Sequence, residues 1–272
     1  MTRRAPLLLF FGATFAVTWT AWLVTAALSP GAPGRGPGAI LFYLGVFAPG
    51  VVALLFTWRT EGGASVRALL ARLFRWEVAA RWYVFALGYM AAIKLLVAVM
   101  HRVMTGEWPR FGSAPWYLML AAAVFSTVTG GQAGEELGWR GYALPRLAER
   151  VGLAGASVIL GAIWALWHLP LFFIAGADTT GQSFLVYLIQ VTALSVAMAW
   201  LFHNTGGSLL LTMLLHAAIN NTKDIVPSAV ATPGRVFTLS GSLVAWLTLG
   251  LLWVGAAYFL TRMARPGVGR AP

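Results

Sequence analysis

Apolar runs about as long as a bilayer is thick alternate with short polar stretches along the whole chain. They extend from about 7 to 28, 38 to 58, 79 to 101, 114 to 139, 153 to 174, 183 to 203, 206 to 221 and 239 to 261. A spanning helix uses about 20 apolar residues, so the pattern predicts an all-α polytopic membrane bundle of about eight transmembrane helices. It reads as one integral membrane domain over 1–272. After the first run, SPGAPGRGPG is too rich in Pro and Gly for a helix and marks a loop. The segment between the second and third runs differs, because Val66, Leu69, Leu70, Leu73 and Phe74 recur at helical spacing with Arg67, Arg72 and Arg75 on other faces. That pattern predicts an amphipathic helix lying in the membrane interface. The first run is longer than the roughly 7 to 15 apolar residues of a signal peptide, so it is expected to remain as a span.

Composition supports the membrane reading, with 59% hydrophobic and 10% charged residues. The net charge of +11 comes almost wholly from 17 arginines, and these fall between the apolar runs. Such a distribution fits topology signals and anionic lipid head groups better than nucleic acid, which is not expected as a partner. If the amino terminus is cytoplasmic, thirteen arginines lie inside (Arg3, Arg4, the five from Arg59 to Arg81, Arg140, Arg146, Arg150, Arg262, Arg265 and Arg270). Five basic residues lie outside: Arg35, Arg102, Arg110, Lys223 and Arg235. The expected location is therefore a cytoplasmic membrane with both termini inside. The chain has no cysteine, which excludes disulfides, thiolate metal sites and a thiol nucleophile.

Against this background the polar residues inside the apolar runs stand out. An ionisable group in a span costs on the order of 2.5 to 3.5 kcal/mol even by lenient scales, so a cluster of them points to function. Glu135, Glu136 and Arg140 end a stretch otherwise free of charge from Phe111 onward. His168, His216 and Asn220 follow in equally apolar surroundings. Glu136 and Arg140 are four apart and can pair on one helical face, which leaves Glu135 pointing elsewhere. The chain is expected to turn near Val151 and Gly152, after a kink at Pro145, and the turn brings Glu135 and His168 to one depth near the cytoplasmic boundary. His216 and Asn220 share a face of a later helix and can both donate to one oxygen, as a developing oxyanion requires. A shielded carboxylate suits proton abstraction from water, and Trp164, one turn before His168, is expected to pack beside the imidazole. Lys94 is expected to snorkel to its helix end.

The ordered pattern Glu135-Glu136-x-x-x-Arg140, Trp164 and His168, then His216-x-x-x-Asn220, resembles the CPBP intramembrane proteases: type II CAAX prenyl endopeptidases and bacteriocin-processing or self-immunity proteins. The resemblance covers about 115 to 225, the motif-bearing core. It implies that Glu135 and His168 activate the hydrolytic water, that His216 and Asn220 form the oxyanion hole, and that Glu136 and Arg140 support them. The family's aromatic position more commonly carries Phe, where this chain has Trp164. The expected activity is endopeptidase cleavage of a membrane-associated peptide or protein near the cytoplasmic face of a bacterial membrane. No cofactor is required by this reading; zinc, if present, would be held by Glu135, His168 and His216. A non-catalytic immunity or scaffold protein and, more remotely, a transporter are the alternatives.

Overall fold

The computed structural model describes residues 5–228, 236–239 and 241–264, and every regular element among them is helical. Arg3, Arg4, Arg235, Arg265 and Arg270 of the charge count lie outside the described residues. The helices are α1 (Ala5–Leu28), α2 (Ala39–Glu61), α3 (Gly63–Ala71), α4 (Ala80–Thr105), α5 (Trp116–Thr129), α6 (Gln132–Glu136), α7 (Leu144–Trp167), α8 (Phe184–Asn204), α9 (Leu209–Thr222) and α10 (Leu243–Met263). A π-helical turn, Leu137–Ala143, joins α6 to α7. Six stretches among the described residues are long and apolar enough to cross a membrane. Their outward faces keep large apolar side chains uncovered, such as Leu8, Val84 and Val254 at 68%, 72% and 70% exposure. Contiguous apolar surface on this scale suits lipid, and the protein is a multi-pass helical membrane bundle.

Two of the eight apolar runs form shorter helices than expected. The seventh gives α9, of 14 residues. The fourth is interrupted: α5 stops at Thr129, Gly130 is extended, and a new helix begins at Gln132. Adjacent glycines are the weakest helix formers short of proline, and irregular backbone at membrane depth survives where it lines a cavity, as Gly130 and Gly131 do.

The long helical stretch Gln132–Trp167 is folded back on itself. Gly152 has φ 71° and ψ 163°, a backbone state open to glycine because it lacks a Cβ. The rings of Trp139 and Trp167 lie 5.7 Å apart, whereas 28 residues of straight helix would separate them by about 42 Å. The predicted hairpin is therefore present. Pro145 cannot donate to the carbonyl four residues back, and the widened π turn sits just before it.

Close packing on α2 sets the position of the first hairpin arm. Gly134 and Gly138 are one turn apart, and a Cβ on either would collide with α2, 2.7 Å from Phe47 Cδ1 and 2.5 Å from Pro49 Cβ. Small residues one turn apart let membrane helices approach this closely. The predicted amphipathic segment begins as α3, whose buried Leu69 fills the space left open by Gly141. Lys94 does not snorkel. It is fully buried and donates to Val226 O at 3.0 Å, Ser228 Oγ at 3.0 Å and Thr248 Oγ1 at 3.3 Å. Three acceptors satisfy all three ammonium hydrogens, which removes the reason to reach for water.

Candidate active site

Because Gly134 and Gly138 face α2, the two glutamates between them are turned toward other helices. Glu135, 7% exposed, accepts a hydrogen bond from Trp164 Nε1 at 2.7 Å across the hairpin. Glu136 is fully buried and pairs with Arg140 at 3.0 Å, as the spacing predicted. The same Glu136 oxygen also accepts from His216 Nδ1 at 2.9 Å. Trp164 is the hub: both imidazoles meet its ring edge-on, His168 at 5.8 Å and His216 at 5.2 Å, and the Arg140 guanidinium lies 4.4 Å from its centroid.

Both histidines have one ring nitrogen assigned by their partners. His168 Nδ1 lies 2.9 Å from the Trp164 carbonyl, which can only accept, so Nδ1 carries the proton and Nε2 is the free basic nitrogen of the neutral ring. His216 Nδ1 donates to a carboxylate, so its Nε2 can donate onward only as imidazolium. In that form Glu135, Glu136, Arg140 and His216 sum to zero charge. His168 caps the end of α7, where Pro170 prevents continuation. Helix α1 steadies that end, with Trp19 Nε1 donating to Trp167 O at 3.0 Å and Trp167 Nε1 to Thr18 Oγ1 at 2.9 Å.

Glu135, Trp164, His168, His216 and Asn220 line one cavity of about 780 Å³. Asn220 is exposed within it, one turn beyond His216 on α9. Arg140 and Glu136 lie behind the wall and do not line it. The expected depth needs correction. Glu135 adjoins Gly134, which packs on Gly50, midway along α2, and not near the arginine-rich boundary. The cavity lining extends to Trp22, Tyr43, Asp178, Lys223 and Gly241, at the bundle end away from the Arg146 hairpin. The reason is the break at Gly130, which lets Glu135 start a helix at mid-depth.

Among the described residues no three of His, Cys, Asp and Glu gather closely enough to hold a metal ion. Glu135, His168 and His216 share one cavity, with His216 Nδ1 hydrogen-bonded to Glu136 and Glu135 to Trp164.

The profile of the Rce1-like type II CAAX prenyl endopeptidase family matches residues 112–222. The match spans 111 of the chain's 272 residues. A relative named CAAX prenyl protease 2, from Methanococcus maripaludis, is 24% identical over 260 residues, covering 88% of this chain and 93% of the relative. The chain is accordingly a protease, a hydrolase of the CAAX-protease kind. The relative is archaeal, so it lends nothing to a bacterial source.

Within this protease the indole N–H of Trp164 was missed by sequence reasoning, which treated the ring as packing. A hydrogen bond to a charged group is worth about 1.5–3 kcal/mol. Trp164→Phe keeps an aromatic ring and removes the donor, and is expected to lower kcat/KM by about 10-fold or more without loss of folded protein. Steady-state kinetics beside a thermal melt checks this. Gln132, one turn before Glu135, was also missed: it is buried in the cavity wall, and its Oε1 has no partner among the described residues.

Proposed function

We propose that the chain is an intramembrane endopeptidase in which Glu135 takes a proton from a water molecule held between it and His168 Nε2. The resulting hydroxide adds to the scissile carbonyl. His216 Nε2–H and the Asn220 side-chain amide donate to the oxyanion, and Glu135 then returns its proton to the leaving amine as the C–N bond breaks. One water is consumed, and a carboxylic acid and an amine are released. Glu136 holds His216 in register and is itself neutralised by Arg140. The observation that carries this reading is the buried Glu135 on the wall of a cavity that also presents both histidines and Asn220. The protein sits in a cytoplasmic membrane with the arginine-rich helix ends inside, and the substrate is a membrane-associated peptide or protein. No metal is assigned a role in this step.

The test is cleavage of an isoprenylated C-A-A-X peptide, suggested by the relative's name, and of a library of unmodified peptides by purified protein in proteoliposomes. Products read by mass should show one hydrolysed peptide bond, with no stoichiometric zinc by elemental analysis. Absence of cleavage of every peptide overturns the peptidase reading; stoichiometric zinc overturns the metal-free step.

A further inference from the structure

The wall of the site holds a buried polar side chain that the hydrolytic step leaves unused. Gln132 opens α6 one helical turn before Glu135, is 7% exposed, and lines the same cavity. Its Oε1 is buried and has no hydrogen-bond partner among the described residues. Of the buried side-chain atoms in that condition, those on the cavity wall belong to Gln132 and Thr179, and Thr179 comes from the loop before α8. Donors around the break between α5 and α6 are already committed: Gly130 N donates to Ser126 O at 2.8 Å, and Asn221 Nδ2 to Ser126 Oγ at 3.0 Å and Ala217 O at 2.8 Å. The Trp164 N–H is taken by Glu135. Room for the carboxamide comes from Gly130, where a Cβ would lie 2.1 Å from Gln132 Oε1. Any larger residue there would displace it. A buried acceptor without a donor is unfavourable in the resting protein, and it is accounted for when a bound molecule supplies the donor.

We propose, on the peptidase reading above, that Gln132 Oε1 accepts a hydrogen bond from a backbone N–H of the bound substrate, one or two peptide units from the scissile bond, and so fixes the substrate's register on Glu135. Side chains three apart on a helix are attached about 5–6 Å from each other. Successive peptide groups of an extended chain are spaced by roughly 3.3–3.6 Å, so the carboxamide addresses a group one or two units from the one hydrolysed beside Glu135. A backbone N–H is a donor that a peptide carries whatever its side chains are. The contact therefore aligns the chain without selecting its sequence. Proline is the exception, because it has no N–H, and a substrate with proline at the matched position should be cleaved poorly.

Gln132→Met keeps an unbranched side chain of similar length and removes the acceptor. Because a buried polar atom without a partner is unfavourable, the variant is expected to melt at or above the parent's temperature while its kcat/KM falls about 10-fold, the share of one hydrogen bond. A merely structural glutamine would lower the melting temperature instead. The substrate group is located with analogues of the peptide cleaved in proteoliposomes, each carrying one backbone ester in place of an amide, which deletes a single N–H. One such ester, within about two residues of the scissile bond, should lower kcat/KM of the parent about 10-fold and that of Gln132→Met by less than about twofold. Equal ester effects in both proteins at every position overturn the proposal, and so does a Gln132→Met protein that melts below the parent. A parent that cleaves no peptide at all overturns the peptidase reading, and the proposal falls with it.

Discussion

Glu135→Gln is expected to lower kcat by about 10²- to 10⁴-fold, the range a positioned general base supplies. Glutamine keeps an oxygen for the Trp164 N–H, which lies 2.7 Å from the native carboxylate, but it cannot take a proton from water. The buried wall should keep its shape, so the melting temperature of the variant stays near that of the parent. KM should change little, because the lost interaction belongs to the transition state. Comparing kcat and KM for both proteins on the peptide identified in proteoliposomes measures this. A variant with kcat within threefold of the parent removes Glu135 from the role of base and leaves the carboxylate a packing residue.

This prediction rests on geometry of which the sequence carries only part. Membrane class, the hairpin at Gly152 and the pairing of Glu136 with Arg140 follow from short-range rules: run length, a glycine after a basic turn, and a four-residue spacing. The depth of the site does not. It depends on the break at Gly130 and on the fit of Gly134 and Gly138 against Phe47 and Pro49, and no periodicity in one segment announces its partner in another. The GEELG spelling held a usable signal, since two glycines one turn apart mark a close helix contact. The partner of His216 was hidden for the same reason: α9 and the π turn are distant in sequence, so the choice between Glu135 and Glu136 was set by which face of the hairpin arm α2 had already taken. The Lys94 acceptors likewise come from a loop and from α10, far along the chain.

Glu136→Ala should be the most destabilising single change at the site, by about 3–5 kcal/mol, the cost of leaving one member of a buried ion pair without its partner. Glu136 and Arg140 are both fully buried. The Nε and Nη2 of Arg140 already lack hydrogen-bond partners among the described residues, so removing the carboxylate also takes away the hydrogen bond made by Nη1. The double variant Glu136→Ala/Arg140→Met removes both charges, and it should recover a measurable part of the melting temperature. It should not recover activity, because His216 still lacks the carboxylate that orients its Nδ1–H. Thermal unfolding in detergent and kinetics on the parent, these two variants and Glu135→Gln separate the two glutamates: Glu135→Gln affects turnover alone, whereas Glu136→Ala affects folding first and turnover as a consequence. A Glu136→Ala protein with unchanged melting temperature would show that the pair is not what holds the hairpin arm, and Arg140 would then need another counter-charge.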